Sequence, residues 1–306
     1  MRIMTLILTT ILPIFILLML GYLAKRSGFL PTDFWPYVEK ASYYVLLPAL
    51  LILNLSQAQI HWSETSRLII GIILVPLLAG LVSLPFKALL SLDAADYTSF
   101  FQGVVRFNTY IGLAMSTVFP APVPTLGALV LAVMIPVVNI LCVLVFALFV
   151  QKQLKLGVLF KSLATNPLLM ACVIGIILNI LPWKLPIILV EVFKQLGQMA
   201  LPTGLLAVGA GLNLAALKGL HASFFWSAAL KLLIVPVLAF GLALGLGLNT
   251  SSSIILVVFA ALPTAPSAYI LARQLGGNAE LMAGMITGQT LLALVSLPLI
   301  LSFLLH

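Results

Sequence analysis

The stretch IILVVFAALPTAPSAYILAR, residues 254–273, is long enough to cross a bilayer and is interrupted at its centre. A helix of roughly 20 residues spans the hydrocarbon layer of a membrane, about 30 Å thick. Pro263 and Pro266 sit in the middle of this one, beside Thr264 and Ser267. Each proline removes an amide donor and clashes with the preceding turn, so a helix here leaves carbonyls unbonded where no water can reach them. Such a break is tolerated at membrane depth only where it lines a cavity or lies against another protein segment.

A second stretch of the same kind, YTSFFQGVVRFNTYIGLAMSTVF at residues 97–119, carries Arg106, Asn108, Thr109 and Gly112 near its middle. The two occupy equivalent places in an internal repeat. Pro13, Gly21 and Pro48 recur as Pro167, Gly175 and Pro202 at an offset of 154, Pro31 recurs as Pro186 at 155, and Met134-Ile135 recur as Met285-Ile286 at 151. The first repeat holds five apolar segments, at 5–24, 37–56, 67–90, 97–119 and 126–150. The second holds five more, at 166–181, 187–212, 224–248, 254–273 and 281–305. An odd number of spans per repeat turns the second half upside down relative to the first, the architecture of secondary transporters. The predicted fold is therefore an all-α integral membrane protein. Its ten transmembrane helices form two inverted five-helix repeats, 1–150 and 166–306, joined by a short cytoplasmic linker at 151–165. The fourth and ninth helices are broken and cross near the midplane.

Composition supports this and excludes other classes. Apolar residues make up 63% of the 306 and charged residues 7%, whereas a soluble domain carries about 25% charged residues. Barrel strands would alternate in polarity, and these segments do not. The links are too short for a soluble or catalytic module. The apolar run after Arg2 lacks a small-x-small cleavage site and matches the sixth span, so it reads as a helix and not a signal peptide. Cys142 and Cys172 show no ligand spacing and read as small core residues. His61, His221 and His306 fall at span ends, and HExxH and GxSxG are absent. No enzyme activity, metal or cofactor is expected.

The net charge of +8 is scattered over the links without aromatic interleaving, which excludes nucleic acid as a partner. Lys25, Arg26, Lys40, Lys87, Lys152, Lys155, Lys161, Lys218 and Arg273 fall near one side; Arg2, Arg67 and Lys184 fall near the other. The positive-inside rule makes the first side cytoplasmic, so both termini are expected in the periplasm of a bacterial inner membrane.

A broken helix exposes a half-helix N-terminus whose free amides and partial positive charge favour an anion. The expected guest is a small organic anion, bonded by Asn108, Thr109, Gly112, Pro263, Thr264, Pro266 and Ser267. Arg106, roughly 13 Å along its span at 1.5 Å per residue, adds positive potential or else is structurally paired. Asn54, Asn139, Gly209, Gly211, Gln289 and Thr290 form a candidate second ring, with helix packing as the alternative role for its polar groups and glycines. Lys231, one to two turns into its span, is expected to snorkel, and Glu191 to pair with Lys194. The acids lie at span ends, so the residues leave coupling to H+ or Na+ open. A rival reading is an anion-conducting pore, since broken helices also line channels, but no filter sequence or charged ring is present.

Phe107-Asn108-Thr109-Tyr110-Ile111-Gly112 and Leu262-Pro263-Thr264-Ala265-Pro266-Ser267-Ala268-Tyr269, with Leu47-Pro48-Ala49-Leu50 and Leu201-Pro202-Thr203-Gly204, resemble positions of the auxin efflux carrier family. The bacterial branch of that family includes malonate and other organic-acid permeases. The resemblance implies a scaffold domain, a transport domain that moves like an elevator, a homodimer, and a carboxylate held at the crossing by Asn108 and the backbone from Pro263 to Ser267. Two features depart from the family. Ala114 stands where many relatives carry a proline, and the link 151–165 is short where plant members have a long loop.

Overall fold

The computed structural model describes residues 2–58, 62–152, 157, 163–181, 185–219 and 221–304. His61, Lys155, Lys161, Lys184, His306 and most of the link 151–165 lie outside these. All regular structure among the described residues is helical. The first half contains α1 (Arg2–Arg26), α2 (Phe34–Ala41), α3 (Leu47–Ser56), α4 (Trp62–Ser83), α5 (Phe86–Leu89), α6 (Ala94–Val105), α7 (Thr109–Thr117) and α8 (Val123–Phe146). The second contains α9 (Pro167–Ile180), α10 (Ile187–Gly211), α11 (Ala222–Ala229), α12 (Val235–Gly245), α13 (Thr250–Ala260), α14 (Ser267–Leu275) and α15 (Ala279–Leu304).

Among the described residues, five continuous helical runs are long and apolar enough to cross a membrane: Phe34–Ser56, Thr65–Leu89, Val123–Gln151, Ala222–Gly245 and Ala279–Leu304. α9 and α13 are shorter apolar helices. Large apolar side chains stay exposed along helix faces, such as Leu12, Ile16, Met19 and Leu20 on α1 and Val173, Ile174 and Ile177 on α9. A protein in water does not leave faces of this extent bare, so their solvent is lipid. The chain is a multi-pass membrane protein.

Two groups of helices emerge from the packing. In one, α1 lies along α10, and α3 packs on both α9 and α10. Gly21 and Gly209 make the α1–α10 contact close: a Cβ on Gly21 would lie 2.0 Å from the Leu206 carbonyl oxygen, and one on Gly209 1.9 Å from that of Leu18. In the other group α4 packs on α6, α8 and α12, α13 on α8 and α12, and α15 on α6, α11 and α14. The groups meet where α8 touches α3 and α9, α7 touches α10, and α1 touches α15.

Among the described residues, three π-helical turns, Ser42–Leu46, Ala147–Gln151 and Leu230–Ile234, widen otherwise α-helical segments. The third corrects one expectation. Lys231 does not snorkel but is 2% exposed, because the turn that carries it packs against α4, α6 and α15. Glu191 and Lys194 do pair, at 3.7 Å, and Cys142 and Cys172 are buried free thiols.

Candidate functional site

Both sequence-flagged stretches are broken, at different kinds of joint. Between α13 and α14 the prolines act through what they lack. Pro263 and Pro266 have no amide to offer the carbonyls of Phe259 and Leu262, and residues 262–265 leave the helix. Between α6 and α7 no proline is needed. Arg106 ends α6 with extended backbone (φ −74°, ψ 156°), and Asn108 (φ −80°, ψ 109°) starts α7. The Asn108 Oδ1 accepts from the amides of Tyr110 at 3.0 Å and Ile111 at 3.2 Å. A capping asparagine thus achieves what proline achieves in the other half, and Ala114 lies buried within α7 without preventing the break.

The two joints are tied to each other. The Asn108 amide donates to the Pro263 carbonyl at 2.8 Å. Thr264 donates its amide to Gln289 Oε1 at 3.0 Å and its hydroxyl to the Gln102 carbonyl at 3.3 Å. Gln289 Nε2 in turn donates to the Gly103 carbonyl at 3.0 Å and to Ser227 Oγ at 3.1 Å. Phe107 and Phe259 meet edge to face with ring centroids 5.8 Å apart. Gly112 allows the close approach, since a Cβ there would lie 2.7 Å from Leu262 Cδ1. Gln289 is therefore the clasp of the crossing. Gln289→Leu strips a buried donor from Gly103 and an acceptor from Thr264, at about 1–3 kcal/mol for each group left unpaired. A clear fall in melting temperature of the detergent-purified protein is the expected result.

Beside this knot is a cavity of about 80 Å³ lined by Tyr43, Arg106, Thr109, Asn139, Asn166, Ala265 and Ser267, among others. It has room for a few waters or one small carboxylate. A larger vestibule of about 630 Å³ shares Tyr43, Arg106, Asn139, Asn166 and Ser267 and extends past Glu39, Lys40, Thr165 and Gln274. Arg106 is 8% exposed. Its Nη1 donates to Ser267 Oγ at 3.1 Å, its Nη2 donates to Asn139 Oδ1, and its Nε is buried without a partner. Neither partner is charged, and the ion pair found among the described residues is the one joining Lys194 to Glu191. Asn108 Nδ2 is likewise buried and unpartnered.

These contacts redistribute the predicted roles. Arg106, Thr109 and Ser267 line the cavity, with Asn139 joining them from the second ring. Asn108, Gly112, Pro263 and Thr264 belong to the knot next to it, and Pro266 is half-buried at the start of α14. Thr290 Oγ1 bonds within its own helix, to the Ile286 carbonyl. Gly209 packs on α1, Gly211 has open space around it, and Asn54, half-buried on α3, is absent from the cavity lining. The half-helix amides are also less free than the sequence suggests, because Asn108 caps two of them and those of Ala268 and Tyr269 bond to Ala265 and Pro266. Positive charge in the cavity comes from the Arg106 guanidinium.

Tyr43 and Asn166 were not singled out in the sequence. Tyr43 lies in the π-helical turn Ser42–Leu46, and Asn166 caps α9 with Oδ1 bonds to the amides of Leu168 and Leu169 at 3.0 and 3.1 Å. The Asn166-Pro167 pair signals a helix start, but that signal says nothing of a cavity.

A family model for membrane transport proteins matches residues 121–301, which include the second break and leave the first outside. Over 303 residues, 95% of this chain and 96% of the other, the sequence is 25% identical to an uncharacterized transporter of Methanothermobacter thermautotrophicus.

Proposed function

We propose, on the premise that this chain belongs to the membrane transport protein family of auxin efflux carriers, that it carries a small carboxylate across the bilayer by alternating access. The observation that carries this reading is Arg106, a guanidinium more than nine-tenths buried, bonded only to neutral groups and lining a cavity at the meeting of two broken helices. A charge near the centre of a span raises the insertion free energy by about 2.5–3.5 kcal/mol. Placed beside a cavity of carboxylate size, it is a recognition group awaiting its counter-ion.

The movement in this proposal is elevator-like. Tyr43 and Asn166 belong to the α1–α3, α9, α10 group, while Arg106, Thr109, Asn139 and Ser267 belong to the other. A guest at this border travels when one group slides on the other. The polar vestibule lies on the side of Lys40 and Gln274, whereas the hollow between α1, α7 and α10 is lined by Pro13, Ile14, Leu17 and Leu205. That one-sided polarity favours a carrier over a pore. With the positive-inside rule, the vestibule faces the cytoplasm and both termini face the periplasm of an inner membrane. Ten helices in two inverted repeats and a homodimer complete the proposed architecture, and repeating the flux measurements in Na+ and in a pH gradient decides the coupling.

Purified protein in liposomes preloaded with the unlabelled acid is expected to take up at least one of pyruvate, lactate and succinate saturably; a flat response to all of them defeats the proposal. Ser267→Asp sharpens the test. Ser267 Oγ accepts from Arg106 Nη1 at 3.1 Å and lies in the first turn of α14, where an acid is favoured, so aspartate there fixes a carboxylate on the guanidinium in competition with the guest. The melting temperature is expected to hold while KM rises about a hundredfold, equivalent to losing roughly 2.7 kcal/mol of binding.

A further inference from the structure

Resting on the carrier reading above, we infer that the protein is an obligate anion exchanger, because Arg106 makes the empty carrier a buried cation that does not return across the membrane. The geometry gives three reasons. The guanidinium has no ionic partner among the described residues: Ser267 and Asn139 are neutral, and the Nε has no hydrogen-bond partner. Two further charges among the described residues line the vestibule, Glu39 and Lys40; neither makes a salt bridge to Arg106, and being opposite in sign they add no net charge to its own. Arginine cannot shed its proton in a protein, so the site has no neutral empty form to adopt, as a lysine or a carboxylate site would.

With the vestibule open, water and dissolved ions compensate the charge of Arg106. Switching access requires that vestibule to close and its water to leave. With one carboxylate seated on the guanidinium, the closing species is a hydrogen-bonded neutral pair. Without it, the closing species is a bare cation entering a medium of low dielectric, which is strongly opposed. The loaded carrier therefore crosses in both directions and the empty carrier in neither. Each anion brought in must be matched by one taken out, and a monocarboxylate swap moves no net charge.

The experiment uses the full chain in liposomes with labelled pyruvate outside. Uptake is expected to be at least about tenfold faster when unlabelled pyruvate is inside than when the lumen holds none, each tenfold reflecting the barrier to empty return. A membrane potential imposed with valinomycin and K+ is expected to leave the exchange rate unchanged. In Arg106→Gln, the residual flux is expected to run equally fast with and without internal anion. Equal rates in the parent protein, or an exchange rate that follows the potential, overturn the inference while leaving the carrier reading intact. No movement of pyruvate, lactate or succinate in either mode overturns the carrier reading with it. If Arg106→Gln does not fold, the potential measurement on the parent protein still decides.

Discussion

Arg106→Gln is expected to raise the melting temperature of the unliganded protein while lowering carboxylate flux about a hundredfold, and the opposite signs of the two effects are the diagnostic. Removing one partner of a desolvated charge pair takes away about 2–5 kcal/mol of binding, which is the origin of the lost flux. In the unliganded protein the same guanidinium is buried against neutral groups only. Glutamine keeps a donor for Ser267 or Asn139 and removes a charge that only the water and ions of the vestibule compensate, so stability rises by about 1 kcal/mol. A structural arginine, paired to hold helices together, would give the reverse, with the melting temperature falling on substitution. Adding anion separates the two further, since a guest bound only by the folded state stabilises the parent protein and leaves the variant unmoved. Arg106→Lys falls between them. It keeps the charge but lacks the planar fork that serves Ser267 and Asn139 together.

How far the chain could be read in advance follows from the physics of each signal. Span lengths were legible because lipid imposes a length on any apolar helix, and the runs Thr65–Leu89, Val123–Gln151, Ala222–Gly245 and Ala279–Leu304 cover their predicted stretches to within a few residues. The break at Pro263 and Pro266 was legible because proline subtracts a donor whatever surrounds it. The break at Asn108 was fainter, since an asparagine interrupts a helix only when its side chain caps the next one, as it does here toward Tyr110 and Ile111. What the sequence did not reveal depends on rotation about a helix axis. Spans apolar all round carry no phase signal, so Tyr43 facing the cavity, Lys231 facing inward from a π-helical turn, and Gln289 reaching Gly103 and Ser227 become visible only with packing. The anion signal was read from the half-helix ends, whereas Arg106 supplies the charge, because local caps and turns consume amides that the sequence leaves open.

Gly209→Val is expected to prevent accumulation of monodisperse protein, whereas Gly211→Ala, two residues further on, is expected to be neutral or slightly stabilising. The contrast tests whether the glycines of α10 serve packing or the site. At Gly209 even the first added carbon would lie 1.9 Å from a backbone oxygen of α1, and at Gly21 the reciprocal contact is 2.0 Å. Backbone cannot rotate away as a side chain can, so valine must push α1 and α10 apart along their whole contact. In a bilayer that contact is held by close van der Waals packing, with no hydrophobic drive to restore it once the helices separate. Overpacking in a well-filled core costs up to about 3 kcal/mol when neighbours can adjust, and here they cannot. Gly211 has open space around it and no positive φ, so alanine adds helix propensity of up to about 1 kcal/mol without a clash. Size-exclusion profiles and melting temperatures of the two variants decide the matter. A folded Gly209→Val protein would mean that α1 and α10 can separate, and would remove them as the fixed frame of the proposed elevator movement.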